Sequence, residues 1–145
     1  MHDKLVPFTL GVLITLTVTQ LMQATVHSTT LGRAKATGER AFVLNVGLQF
    51  HEPAAAERLV HEWSKAAVYC LANEKFLYAY EMAQSDQDPL RYLVTERYRS
   101  KADYLGAHRS SSAFKEFRPK MKELQNSGEV VVTGSSYNEL GVGFT

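Results

Sequence analysis

The segment AFVLNVGLQF, residues Ala41 to Phe50, alternates between apolar side chains and small or polar ones. Successive side chains of an extended strand point to opposite faces of a sheet, so a period of two predicts a strand. Phe42 and Phe50 lie at the ends of one predicted face, and Asn45 lies on the other.

A long amphipathic helix is predicted directly after this strand. Pro53 can begin a helix, because the first helical residue needs no amide hydrogen bond. A helix face that packs on a core repeats every three or four residues. Here the predicted apolar stripe consists of Leu59, Trp63, Ala66 and Cys70, which follow one another at spacings of four, three and four residues. Asn73 is its predicted end.

The next two strands are predicted to form a hairpin. Phe76 to Ala83 alternates, with Phe76, Tyr78, Tyr80 and Met82 on one side, and Leu90 to Arg99 alternates in the same way. The polar segment between them, Ser85 to Pro89, is short and rich in turn residues.

The last third of the chain predicts two helical pieces and a final strand. Ser100 and Asp103 have the spacing that begins a helix, and a second start is expected at residues 110–112. Pro119 interrupts the apolar pattern of the second helix, so we expect a kink or a broken turn there. Residues 129–133 predict a strand, with a continuation over 135–140.

The resulting order, β-α-β-β-α-β, is the split pattern of ferredoxin-like α+β domains. The helices would cover one face of a four-stranded sheet. The other face is also partly apolar, since Val43 and Leu93 alternate with Leu44 and Tyr92. Such a sheet needs a second cover, most simply the sheet of another copy, so we predict a homodimer of the α/β-barrel type.

Composition restricts the partners and the kinds of site. The 145 residues have a formal net charge of +1, which gives no electrostatic reason to expect nucleic acid. Cys70 is the single cysteine, so a disulfide within one chain and a zinc site built mainly of thiolates are excluded. Residues 61–65 read HEWSK and not HExxH, and no glycine-rich phosphate loop appears.

The N-terminal segment differs from the rest of the chain. Residues 5–26 carry no charge and are long enough to span a membrane, although threonine and glutamine dilute them. We predict a signal anchor or a cleaved targeting segment over 1–28, a linker over 29–40, the domain over 41–140 and a tail over 141–145. Basic residues after the segment favour a single-pass anchor with the domain on the cytosolic or an equivalent side, with organelle targeting or secretion as alternatives.

Two segments carry a family pattern. One is the first strand, FVLNVGLQF at 42–50, and the other is YLVTERYRSKADYLGAHRSSSAFKEF at 92–117. The second combines a strand ending in E-R-aromatic, a short helix and H-x-x-S-x-x-F. Together they resemble the antibiotic biosynthesis monooxygenase (ABM) family, in particular its quinol-monooxygenase-like members, over residues 41–140.

The resemblance implies a small dimer. Among the several activities of the family, our leading hypothesis is oxidation of a quinol or polyphenolic aromatic with molecular oxygen, with no cofactor and no metal. Asn45 matches the family's asparagine, which holds a substrate oxygen, and His108 matches the histidine that could accept a phenol proton. Each of the two residues also has a purely structural interpretation. The Asn45 side chain could form its hydrogen bonds with backbone groups at a sheet edge, and His108 could stabilise the turn between the helical pieces.

Other residues are candidates for binding the substrate: Trp63, Tyr80, Tyr98, Phe117 and Arg97. The aromatic ones could equally pack in the core or the dimer interface. Glu96 shares its strand face with apolar side chains, and we expect it to pair with an arginine other than Arg97.

Other functions stay open at this stage. A non-catalytic dimerisation or ligand-binding module, or an accessory subunit of a membrane complex, would fill the pocket with aromatic side chains. A catalyst would need Asn45 and His108 in one cavity. A sugar isomerase would need cations in the pocket, for which Arg97 and Arg109 are the candidates. Haem degradation would need a histidine where Phe117 stands.

Overall fold

The computed structural model describes residues 40–142. Its strands are β1 (Phe42–Phe50), β2 (Leu77–Gln84), β3 (Arg91–Tyr98) and β4 (Val130–Asn138), and its helices are α1 (Pro53–Asn73), α2 (Lys101–Asp103) and α3 (Ser112–Asn126). A five-residue π-helix, Tyr104–His108, continues α2. The predicted anchor or targeting segment lies outside the described residues. None of the helices within residues 40–142 combines the length and apolarity needed to cross a bilayer.

The four strands form one antiparallel sheet in the order β2-β3-β1-β4. β1 is central and pairs along its length with β3 and β4, so that Leu44 lies opposite both Glu96 and Ser136. This is the predicted ferredoxin-like α+β arrangement, and that prediction is confirmed. The register is continuous along β1, which fixes the face on which each of its side chains lies.

The core lies between the helices and one face of the sheet. The α1 stripe predicted from its spacing is buried at all four positions, Leu59, Trp63, Ala66 and Cys70. From β1, Phe42, Leu48 and Phe50 are buried against it. The face of the sheet that carries these side chains is called the helix face below.

Two serine caps begin the helices of the second half. The Ser100 hydroxyl accepts a hydrogen bond from the Asp103 amide, and the Ser111 hydroxyl accepts one from the Phe114 amide. Both starts were predicted. Of the two effects expected at Pro119, the broken turn is wrong, since α3 runs through the proline without interruption, whereas the kink stays a prediction. The missing amide removes one hydrogen bond, whereas the buried residues Phe117 and Leu124 hold the helix to the core on either side.

A bulge in β2 changes which of its side chains face the helices. Leu77 pairs with Tyr98 and Ala79 with Arg97, so Tyr78 is an extra residue on β2. The four aromatic and apolar residues expected on one side of β2 therefore do not all share it. Leu77, with Tyr80 after the bulge, lies on the helix face.

The opposite face of the sheet is called the open face. Its members alternate with the buried residues of β1, β3 and β4, and include Val43, Asn45, Gly47, Leu93, Thr95, Arg97, Val131, Ser135 and Tyr137. Leu93, Val131 and Tyr137 are 46%, 52% and 54% exposed. Several large apolar side chains exposed together on one uncovered sheet face are unusual for a protein that acts alone.

Candidate functional site

A histidine and a glutamate form a hydrogen-bonded pair in the core. His108 ends the π-helix and Glu74 immediately follows α1, and their side chains meet with 2.7 Å between Nδ1 and Oε2. His108 is 1% exposed and Glu74 is 3% exposed. π-Helical turns occur often at functional sites, because the wider turn redirects a side chain. Here the turn ends on His108, which points into the core.

A second buried pair lies on β3. The Tyr98 hydroxyl donates a hydrogen bond to Glu96 Oε2 at 2.6 Å, and both side chains are on the helix face. Burial raises the pKa of Glu96, although the hydrogen bond from Tyr98 and the nearby His108 act in the opposite direction. Burial and the neighbouring Glu96 carboxyl also raise the pKa of Tyr98. Both groups therefore hold their protons more firmly than in water.

Aromatic rings enclose these polar groups. Trp63 stacks on Tyr80 with ring centroids 3.9 Å apart, and Phe117 packs edge-on to Trp63 at 5.3 Å. The rings of Tyr98, Phe114 and Tyr80 lie 5.1, 5.3 and 5.9 Å from the His108 ring. Burial, followed by the nearby Glu96 carboxyl, raises the pKa of Tyr80. The environment is one in which a flat aromatic ring would find both stacking partners and hydrogen-bonding groups.

Such a cluster is costly for stability alone. Two carboxyl groups and an imidazole lose water when buried, and replacing buried pairs of this kind by apolar residues is often neutral or stabilising. Glu96 and Tyr98, whose pKa values are raised, lie with the His108–Glu74 pair inside an aromatic shell, and such a cluster is a candidate for chemistry. The available chemistry is proton transfer at His108 and hydrogen bonding to a substrate oxygen.

Five of the seven residues predicted for the site lie in or around this cluster. His108 is at its centre, and the side chains around it include Trp63, Tyr80, Tyr98 and Phe117. The remaining two, Asn45 and Arg97, lie elsewhere.

Asn45 lies on the open face, on the opposite side of the sheet from His108. It stands opposite Thr95 and accepts a hydrogen bond of 3.3 Å from the Thr95 hydroxyl. The expectation that Asn45 and His108 share one cavity is therefore not met within a single chain. The reason is the alternation of side chains along β1. Phe42, Leu48 and Phe50 lie on the helix face, so Asn45 lies on the open face.

The two arginines expected near the site, Arg97 and Arg109, also lie outside the cluster. Arg97 lies on the open face and pairs with Glu139. Arg109 is exposed, with its guanidinium 6.0 Å from the Phe114 ring centroid. The expectation that Glu96 pairs with an arginine is wrong, since the hydroxyl of Tyr98 is its hydrogen-bond donor. The cations that a sugar isomerase would need thus do not line the cluster.

Glu74 was missed in the sequence, although a signal was present. It stands four residues after Cys70, so it continues the buried stripe of α1 by one more step. An acidic side chain at the end of a helix is ordinarily expected at the surface. Its burial could have been predicted from position alone.

Two surface cavities border α1 and α3. A groove of about 330 Å³ is lined mainly by charged residues, among them Arg58, Glu62 and Lys120, and by none of the predicted site residues. A smaller depression of about 80 Å³ is lined by Ala66, Ala113 and Phe117, among others. Phe117 also packs against Trp63, so the smaller depression leads towards the aromatic shell.

Comparisons with solved structures agree on the fold. A conserved protein from Bacteroides thetaiotaomicron, given as a possible oxidoreductase, matches with a TM-score of 0.58 and 16% identity over 70% of this chain and 99% of that one. A Nitrosomonas europaea protein, named provisionally as an antibiotic biosynthesis monooxygenase, matches with a TM-score of 0.57 and 17% identity over 68% and 98%. Rv0793 from Mycobacterium tuberculosis gives 0.54 and 21% over 69% and 98%. At these identities the likeness concerns the fold.

No curated protein matches the chain. The family model described as antibiotic biosynthesis monooxygenase matches residues 42–120, which is more than half of the 145 residues. That range includes the buried cluster from Trp63 to Phe117. The chain therefore belongs to the antibiotic biosynthesis monooxygenase family.

Proposed function

We propose that this protein is a cofactor-independent monooxygenase that oxidises a quinol or polyphenolic aromatic with molecular oxygen. The observation that carries the proposal is the buried His108–Glu74 hydrogen bond inside a shell of aromatic rings. A carboxylate bound to one imidazole nitrogen fixes the orientation of the ring and leaves the other nitrogen to accept a proton.

Each residue of the cluster has a role in this mechanism. The substrate ring stacks within the shell of Trp63, Tyr80 and Phe117. His108 takes the proton of a substrate hydroxyl, and Glu74 holds the imidazole in the orientation for that transfer. Tyr98, with its raised pKa, stays a hydroxyl and keeps Glu96 in place through its single donated hydrogen bond.

The reaction balances without a further reagent. The substrate gives up the hydrogen of its hydroxyl and one hydrogen from the ring carbon that is oxidised. One atom of oxygen becomes the new carbonyl oxygen on that carbon, and the other leaves as water with the two hydrogens. Oxygen is the oxidant and the electron-rich phenolate is the reductant, so the chain's residues need only bind, orient and move protons.

Access to the shell would lie on the helix side. The depression between α1 and α3 is separated from Trp63 by the Phe117 ring. A rotation of the Phe117 side chain would open this depression towards the Trp63 ring. The open face, with Asn45, is too far from this path to contribute to the same site in one chain.

Oxygen uptake by the full chain tests the proposal. The metal-free protein is assayed with a panel of quinols and anthrones, beside His108→Asn, Glu74→Gln and the control His61→Asn, whose histidine is exposed. We expect turnover that the first two variants lose and the control keeps. Turnover that survives in His108→Asn would refute the assignment of the base.

We further propose that the protein is a homodimer joined through the open face. The exposed Leu93 on β3, with Val131 and Tyr137 on β4, supplies an apolar surface that a partner sheet would cover. Asn45 and Thr95 would then lie inside the dimer seam, already hydrogen-bonded to each other.

Residues 5–26 are proposed as the membrane attachment of the domain, which would suit a lipophilic quinol. Their uncharged length supports this proposal. Release of the full chain from membranes by alkaline carbonate would count against a single-pass anchor. Delivery to an organelle or secretion after cleavage is the alternative localisation.

A second function has a specific observation in its favour. The space beside His108 is filled by rings, and Asn45 lies on the other face of the sheet. A non-catalytic ligand-binding or dimerisation module would have these properties. Absence of oxygen uptake over the whole panel, from a folded dimer, would favour this module over the monooxygenase.

A further inference from the structure

Within residues 40–142, one group of side chains has the composition and spacing of metal ligands. Cys70, Glu74 and His108 each offer one donor atom, and the three donors lie within 4.8 Å of one another. Cys70 and Glu74 are one helical turn apart, and His108 reaches them from the π-helix. All three side chains are buried, at 1%, 3% and 1% exposure.

We propose that Cys70, Glu74 and His108 form a three-ligand binding site for a thiophilic divalent cation of the Zn²⁺ class. Thiolate sulfur, imidazole nitrogen and carboxylate oxygen are the donors that zinc prefers in proteins. This proposal goes beyond the oxygenation proposed above and does not depend on it.

The charges of such a site balance. A thiolate and a carboxylate carry two negative charges, which a divalent cation neutralises, and a neutral imidazole adds none. A neutral cluster is what a buried position requires, because an uncompensated buried charge is strongly unfavourable. A harder cation such as Mg²⁺ fits poorly, because it prefers oxygen donors and retains its waters.

The geometry needs small adjustments of the donor atoms. Bonds of about 2.0 to 2.3 Å to a tetrahedral ion place the donors about 3.5 Å apart. Donors that are now up to 4.8 Å apart would have to approach by roughly an ångström. His108 Nδ1 and Glu74 Oε2, now 2.7 Å apart, would have to separate by somewhat less than that. Rotation of the Cys70 side chain about one bond and adjustment of Glu74, which lies just beyond the end of α1, can supply this.

The ion and the proposed proton transfer would compete. Both need His108 and Glu74, so a bound ion would block the base. Metal binding would thus inhibit oxygenation, and the metal-free chain would be the active form. Three protein ligands leave a fourth tetrahedral position for water or another small ligand.

Cobalt spectroscopy of the full chain tests the site directly. The chain is stripped of metal and titrated with Co²⁺ in buffer without added thiols, and Zn²⁺ is then added. We expect visible bands of tetrahedral Co²⁺, a near-ultraviolet thiolate-to-cobalt band at about one equivalent, and loss of both on addition of Zn²⁺. Since Cys70 is the only cysteine, a thiolate band can be assigned to it without a variant.

Two variants complete the test. Cys70→Ser should lose the thiolate band and weaken binding by more than about tenfold, because even the loss of a group that only orients a ligand weakens binding by about that factor. His61→Ala should change neither. Absence of a thiolate band in the wild-type chain, or its persistence in Cys70→Ser, would overturn the proposal. Oxygen uptake is measured separately on metal-free protein, so failure of the metal site and failure of the oxygenase are distinguished.

Discussion

Removal of the Glu74 carboxyl group should show how much the buried His108–Glu74 pair contributes to the free energy of unfolding. Its Oε2 lies 2.7 Å from His108 Nδ1, and both side chains are almost fully buried. Glu74→Ala leaves the imidazole without this partner in the core, which typically costs about 3–5 kcal/mol in the free energy of unfolding. Glu74→Gln keeps an acceptor oxygen, so we expect a smaller loss of about 1–2 kcal/mol.

Urea denaturation of metal-free full chain, followed by circular dichroism, measures both losses. Glu62→Gln is the matched control, because Glu62 accepts hydrogen bonds from Lys65 and Lys120 at the surface. Solvent screens that group, so its variant should leave the denaturation midpoint unchanged. If Glu74→Ala unfolds at the wild-type midpoint, or if the glutamine variant is the less stable of the two, the reasoning about the pair is refuted.

Three further predictions concern the shell, the dimer and the α2 cap. Trp63→Ala should lower the free energy of unfolding by about 3–5 kcal/mol, as seen by thermal denaturation. Leu93→Asp on the open face should give a monomer in sedimentation, whereas Val68→Asp on the outer face of α1 should not. Burial raises the pKa of Asp103, but hydrogen bonds from the Arg99 guanidinium and a neighbouring hydroxyl outweigh it and lower the pKa. Asp103 therefore stabilises the fold above about pH 4. Asp103→Asn should destabilise the fold at about pH 7, and the difference from wild type should shrink as the pH falls below about 4.

The fold was predictable because most of its elements show one undisturbed period. The alternation from Ala41 to Phe50 placed β1 to within one residue, and the stripe of α1 was buried as expected. The bulge at Tyr78 was not predictable, because one extra residue leaves the composition of the strand unchanged while it shifts the face of its side chains. Whether Pro119 breaks α3 depends on packing against the core, which local sequence does not contain.

The candidate site was predictable in part, and the differences have physical causes. The family pattern pointed to His108, and the buried stripe of α1 pointed to Trp63, which lies near it in the cluster. Asn45 was expected to share a cavity with His108, although the alternation of β1 already put it on the face opposite Phe42 and Phe50. Glu74 was overlooked because a carboxyl group reads as a surface group, whereas its position four residues after Cys70 required burial.

The most direct test of the central claim is a fluorescence titration, because Trp63 is the only tryptophan in the chain. The full chain is titrated with a quinol under anaerobic conditions, so that binding occurs without turnover. A ring that stacks in the shell beside His108 should change Trp63 emission saturably, and Asn45→Ala should behave as wild type. Unchanged emission in the wild-type chain, or a response that Asn45→Ala abolishes, would contradict a substrate site on the helix face.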